Sequence, residues 1–390
     1  TSPDNKKYEF TSHYKEVDGR IVWNIQRKDT KRREGWIEKE ANLSYEDGNC
    51  WVSDSACVYG EARIKGNAIV IGDAEVSGRA IVHEDAIVSG NSKVGDVATI
   101  SGTARVEGTS EIGEYANISD EATVGDNSIV KGHAKIYGKA SVKNGSLVFG
   151  NAEVYGESRL QGGGIWGEAK IYGNAKLLGG GTVYDRARVY GDAEVSGSIS
   201  STAQISGGSV SGEGVLSGDA VMSGGEITGS GKVESGSVEG GQISGGIVKA
   251  SEGNQIIISG GKISGGKITG GKITDKADIS GNPHISGNPH ISGGVITGES
   301  EISGTAKVSG GEIRGFAQIS GGTISGGFVI GSALVTGGEV KGGTVKGEAS
   351  VHNGVVTGTA VITGGYQITD NEIYDSKIYG NRGRRRRSRS

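Results

Sequence analysis

Histidine, cysteine and arginine are the side chains of this 390-residue chain with the chemistry to act as bases, metal ligands or phosphate clamps. A histidine general base needs a cleft and a substrate within hydrogen-bond reach. His83 follows an aliphatic and is expected to point outward, and His133 falls at a turn. His284 and His290 recur in the identical units Gly281-Asn-Pro-His and Gly287-Asn-Pro-His, which reads as duplication rather than catalysis. Neighbouring sides of a coil would aim them in different directions, so no metal ligand set is assigned, and no cofactor. Cys50 and Cys57 form neither a zinc spacing nor a disulfide framework. Cys50 is expected inside, Cys57 exposed, and the two unpaired. Phosphate chemistry is carried by Arg382, Arg384, Arg385, Arg386, Arg387 and Arg389, six arginines without an acid. Guanidinium clusters hold phosphates and acidic surfaces by charge-assisted, often bidentate contacts. The formal charge of the whole chain is −4, so the remainder is acidic.

The elements that must position these groups are set by one period. From Val52 a β-branched aliphatic or leucine recurs every sixth residue, through Val58, Ile64, Val70 and Val76 to Val154 and Leu160. A small residue such as Ala62, Ala68 or Ala74 precedes the next aliphatic by two, and a glycine such as Gly60, Gly66 or Gly78 often follows by two. Side chains alternate along a strand, so the aliphatic and the small residue share the inner face while glycine supplies the corner. Three six-residue sides close one coil, and stacked coils bury what no coil buries alone. The expected fold is all-β: a single-chain parallel β-solenoid, a left-handed triangular β-helix of about 20 turns and about 95 Å at the strand spacing. With 74 glycines and 34% hydrophobic residues, neither a collagen period nor a compact two-layer domain fits.

Four segments follow from composition: an N-terminal β-hairpin domain (1–48), the regular hexapeptide helix (49–197), a glycine-rich solenoid of mixed five- and six-residue sides (198–380), and a disordered arginine-rich tail (381–390). The hairpin is read from the Asp18-Gly19 turn, as a cover for the open end of the first coil, as an attachment domain, or as both. In the third segment Ile258, Ile263, Ile268 and Ile273 step by five and Ile279, Ile285 and Ile291 by six, so the interior alanine is lost and the coil is expected to narrow. Phasing is ambiguous near Ser200 and Gly253. Lys262, Lys267 and Lys272 fall one per side and read as solvated decoration.

Outward positions carry the remaining signal. Tyr137, Tyr155, Tyr172 and Tyr190 fall on one side in successive turns; Phe149, Trp166 and Tyr184 fall on a neighbouring side, flanked by Ile129 and Leu147. Such strips mark protein interfaces, including self-association, stabilise neighbouring strands by stacking, or bind sugar rings. A five-residue step at Gly162 puts the alignment of Trp166 and later residues at risk.

The units Ile69-Val-Ile-Gly-Asp-Ala and Lys135-Ile-Tyr-Gly-Lys-Ala resemble the hexapeptide repeats of left-handed β-helix proteins. Gly35-Trp-Ile-Glu-Lys-Glu and Gly48-Asn-Cys-Trp-Val-Ser resemble uncharacterised bacterial and prophage members of that class. The resemblance covers roughly residues 8–195 and implies a fold more than an activity. The function expected from it, and from the absence of a catalytic constellation, is a non-enzymatic structural rod or fibre-like component of a phage particle or similar assembly. Its expected partners are other copies or other assembly proteins, with no membrane, and its expected location is the virion or host cytoplasm, since Thr1-Ser-Pro-Asp-Asn-Lys-Lys has no signal core. The alternatives are a cytoplasmic β-helix binding protein or non-specific nucleic acid through its arginine tail, and an acyltransferase of the left-handed β-helix class. Transferases of that class interrupt the helix with a loop over the cofactor, and no insertion breaks the register from Val52 to Val195.

Overall fold

Two-residue strands, one per side, are what the hexapeptide unit builds. The computed structural model describes residues 7–45 and 48–210 and, between 215 and 379, the strands and part of the turns that join them. The chain is an all-β parallel solenoid of about 12 turns. It divides into two compact units, Thr1–Ser196 and Gly197–Ser390.

In the first unit, from Trp51 on, each strand pairs in parallel with the strand one coil on. Along the first side Trp51, Ile69, Ile87 and Arg105 lie in register, along the second Cys57, Glu75, Lys93 and Glu111, and along the third Arg63, Ile81, Thr99 and Asn117. The aliphatics Val52 to Val195 are buried, and so are the small residues two positions before them except Gly163. Serine replaces alanine at Ser92, Ser110, Ser128, Ser146 and Ser158, where a hydroxyl enters an apolar interior. Each closes on the carbonyl three residues back, at 2.6 to 2.9 Å, so no buried oxygen is left unpaired.

Corners need the left-handed region, and glycine was expected to fill it. Gly90 shows why: a Cβ there would lie 2.6 Å from the Gly108 carbonyl of the next coil. Acidic residues take the same conformation elsewhere, among them Glu84 (φ 58), Asp96 (φ 53) and Asp120 (φ 59). Their carboxylates accept the backbone N–H one coil on, from Gly102 at 2.5 Å, Glu114 at 2.7 Å and Gly138 at 2.9 Å. A charge-assisted bond thus offsets the cost of a Cβ at positive φ.

The N-terminal hairpin is present, β1 (Tyr8–Val17) against β2 (Arg20–Arg27), with Asp18 and Gly19 both at positive φ as a two-residue turn of the primed type demands. A third strand, β3 (Arg33–Ile37), pairs antiparallel with β2 and parallel with Cys57–Val58. The hairpin therefore extends the second side, and its base lies at the open end of the first coil, where Tyr8, buried, donates to the Glu40 and Leu43 carbonyls at 3.4 Å and Arg27 covers Trp51 at 4.0 Å. The chain after β3 closes the same end. Ile37 stacks on Val58 and Leu43 on Ile64, while Asn42, fully buried, donates from Nδ2 to the Gly60 and Ala62 carbonyls at 3.1 and 2.9 Å and accepts from Lys39 N–H at 2.9 Å. Cys57, expected to be exposed, is buried with Tyr59 and Val22 beneath the hairpin, because β3 and its neighbours cover that outward position. Cys50 is buried in the interior, and neither cysteine forms a disulfide.

Strands of the second unit also pair in parallel, but at a shorter interval: His284 with Glu301, Glu301 with Gln318, Gln318 with Leu334. The narrowing has a steric cause. At the inward position of the Gly-Gly units a Cβ would meet the aliphatic of the preceding coil, Ile291 at 3.0 Å from Gly311 and Val308 at 3.1 Å from Gly327. Lys262, Lys267 and Lys272 lie on separate strands with different partners, as do His284 and His290. Two pairings of this unit run in the antiparallel sense, Gln242 with Lys262 and Ile247 with Ile257. They lie at the Gly253 stretch, where the aliphatic step loses its five- or six-residue interval.

Asn42→Ala leaves two buried carbonyls without donors, so the first coil is expected to lose about 1–3 kcal/mol. Native-state hydrogen exchange at the amides of residues 57–65 reads that loss, and unchanged protection there would refute the capping role.

Candidate interaction surfaces

In the regular coils of the first unit the interior is occupied by valine, isoleucine and alanine side chains, so recognition is sought at outward positions. On the third side the strand and the residue after it give two parallel columns. Lys135, Glu153, Lys170 and Arg188 are in register, and Tyr137, Tyr155, Tyr172 and Tyr190 follow them. The four tyrosine rings stack on one another, with centroids 4.8, 4.9 and 5.0 Å apart and planes within 4° of parallel. This spacing is that of neighbouring strands, so in-register pairing alone brings the rings together.

The stack decides what the ladder can bind. Interior rings spend both faces on each other and show solvent only their edges and hydroxyls. A sugar ring packing on an exposed π-face has no place along the column. What remains is a row of phenol edges beside charged groups, and these groups are tied coil to coil: Lys170 to Glu153 at 2.9 Å and Arg186 to Glu168 at 3.1 Å. Asn151, Glu153, Glu168, Lys170, Arg186 and Arg188 line a shallow groove of about 390 Å³ next to the ladder. Burial, with the Glu153 carboxylate nearby, pushes the Tyr137 phenol up to about 12; burial and the flanking tyrosines also raise Tyr172.

On the second side the five-residue step at Gly162 leaves the register intact. Ile129 pairs with Leu147, Leu147 with Gly164, and Gly164 with Thr182, which sets Phe149, Trp166 and Tyr184 in successive coils. Trp166 and Tyr184 stack at 5.6 Å. The Trp166 indole folds over Gly164, where a Cβ would collide with it, so this glycine serves a side chain and not a turn. Leu147 and Trp166 are exposed, Ile129 and Phe149 half-buried. All nine expected side-chain positions thus fall on two sides of one unit. Arg382, Arg384, Arg385, Arg386, Arg387 and Arg389 lie outside the described residues.

His83 sits beside Glu84 at 3.7 Å, and His133 stacks on Tyr115 at 4.7 Å. Both are surface groups. The Tyr115–His133 stack was missed in the sequence because it lies on a corner column, yet its one-coil spacing is the same signal. A second omission is larger. Phe10, Tyr14, Ile21 and Trp23 are all exposed on the hairpin, and Tyr14 and Trp23 are 5.4 Å apart. Alternation in Tyr14-Lys-Glu and Ile21-Val-Trp carried that information. Phe10, Thr11 and Trp23 form one wall, with Glu38, Lys39 and Glu40, of an open cavity of about 470 Å³. Among the described residues no group of His, Cys, Asp and Glu is arranged to hold a metal ion, and no helix is long and apolar enough to cross a membrane.

No protein-family model matches the chain, and no curated protein matches it.

A tyrosine whose phenol is raised in the fold holds its proton while the unfolded chain begins to lose it near pH 10, so its contribution to stability is complete below pH 10 and is lost as pH climbs through about 12. Titration followed by phenolate absorbance should show a late class of tyrosines in the native protein that merges with the rest in denaturant. A single class ionising near pH 10 in the native protein would contradict the stacked ladder.

Proposed function

We propose that the chain is a non-enzymatic structural element of a larger assembly, a left-handed β-helix that binds other copies or other assembly proteins through its outer sides and ends. The observation that carries the reading is the unbroken register from Trp51 to Val195, which builds flat sides and places the apolar group Ile129, Leu147, Phe149, Trp166 and Tyr184 in one strip. Apolar strips on a surface mark contacts with other molecules. The engagement of His83 and His133 in surface pairs also supports a non-catalytic role. A phage particle is the assembly suggested by the resemblance of Gly35-Trp-Ile-Glu-Lys-Glu and Gly48-Asn-Cys-Trp-Val-Ser to prophage-encoded hexapeptide proteins.

Leu147→Lys with Trp166→Ser puts charge and loses ring area at the centre of the strip without touching the interior. Analytical ultracentrifugation of the full chain should show a defined oligomer that dissociates at least tenfold more readily in this variant. Equal masses for the two proteins at every concentration would remove the strip as an interface.

A further inference from the structure

The N-terminal unit has a consistent way of covering its indoles. Trp51 carries the Arg27 guanidinium at 4.0 Å and Lys7 at 5.8 Å, and Trp36 carries Lys15 at 4.8 Å. A cation over an indole face is attracted by the ring quadrupole, and guanidinium also stacks on it. Trp23, on the outward side of β2, has no such cover among the described residues. Tyr14 lies beside it at 5.4 Å and is 64% exposed, so two aromatic rings lie open on one surface. Alternation sets Glu16 and Ile21 on that same surface, since Glu16 pairs with Ile21 and Tyr14 with Trp23, while Lys15 on the opposite face reaches the Ser55 carbonyl. Acid surrounds the rings. Glu16 and Glu40 are exposed, and Glu38 and Glu40 line the cavity that Trp23 and Phe10 open into. Lys39 is paired with Glu61 at 2.5 Å, and Arg20 with Glu38 at 3.1 Å, whose carboxylate also accepts the Gly60 N–H, so Glu16 beside the rings carries the charge argument.

Open aromatic rings rimmed by carboxylates are matched by guanidinium, which answers both at once. The chain holds one concentrated supply, the segment Arg382-Gly-Arg-Arg-Arg-Arg-Ser-Arg389, which follows the strand Lys377–Tyr379. Extended, eight residues reach about 26 Å, enough to cross the outward face of a two-stranded hairpin. We propose that the arginine-rich segment of one copy docks on the Tyr14–Trp23 face of another copy, joining copies head to tail. Such a contact is heterologous: each copy offers one face and one segment, so it repeats into an open chain unless the geometry closes a ring. The inference rests on the assembly reading above but uses a different surface from the Leu147–Trp166 strip. Glu16 is exposed and the contact joins opposite charges, so it weakens as salt rises.

The test is carried out on the full chain in the Leu147→Lys/Trp166→Ser background, which removes association through the side strip. A head variant adds Tyr14→Ala and Glu16→Lys, and a tail variant adds serine at all six arginines; unchanged circular dichroism and melting establish that both fold. Sedimentation velocity should show that the parent associates with rising concentration and that each variant alone does so at least tenfold more weakly. An equimolar mixture of the two should form a heterodimer and stop there, because each pair retains one intact segment and one intact face. The inference is overturned if the tail variant associates as the parent does, if the mixture stays monomeric, or if the segment binds duplex DNA with no change in protein mass. A parent that is monomeric at all concentrations also overturns it, while leaving the side-strip reading to stand on the wild-type mass.

Discussion

Parallel hydrogen bonding between successive coils is the interaction on which the other features depend. Ile69 N–H donates to Ala86 C=O, Ile87 N–H to Ala104 C=O and Arg105 N–H to Ala122 C=O, each at 2.8 to 2.9 Å and each reaching the same position one coil on. This repetition turns a periodic sequence into columns. Each column then has only a strand spacing of room, roughly 4.8 Å, between one residue and its counterpart. Residues that fit that spacing recur and those that do not are replaced by glycine, which is why Gly90 and Gly108 meet backbone to backbone at a corner.

The same constraint explains features that differ in chemistry. Tyrosine rings about 3.4 Å thick stack with a slight offset at this interval, so the ladder forms without further contacts. Corner carboxylates at Glu84, Asp96 and Asp120 reach the next coil's N–H because it is one strand spacing away. Lys176 and Glu194 or Lys170 and Glu153 pair across coils for the same reason, though exposed pairs of this kind contribute little to stability individually. A stack of identical layers has no internal way to end, and unpaired carbonyls at its first coil would template further strands. Asn42 resolves that by spending its whole amide on the first coil and on Lys39, leaving β1–β3 free to present an aromatic face outward.

Much of the fold was legible in the residues alone. The Val-x-Gly-x-Ala-x unit fixes which side chains are buried, where the corners fall and that the strands stack in parallel, since no other arrangement hides an aliphatic every sixth residue. The hairpin turn at Asp18-Gly19, the two outward aromatic columns and the narrowing of the Gly-Gly units were legible for the same reason, because each is a local rule repeated. Register alone determines that Tyr137 meets Tyr155.

Tertiary structure decided what depends on groups far apart in sequence. That the hairpin covers Cys57 as well as meeting the first coil's open end follows from β3 pairing with Cys57–Val58, a choice made by edge hydrogen bonds that no period reports. That Asn42 is the cap follows from two carbonyls that become unpaired only once the first coil exists. The stacked orientation of the tyrosines, which denies their faces to a ligand, is set by the angle between side chain and axis and not by spacing. The antiparallel pairing of Gln242 and Ile247 appears where the period fails, because without a repeat the chain's direction is free to be set by whichever edge is open. Periodicity writes local conformation and burial into sequence, whereas ends, interruptions and side-chain orientation are fixed by contacts that exist only after the stack has formed.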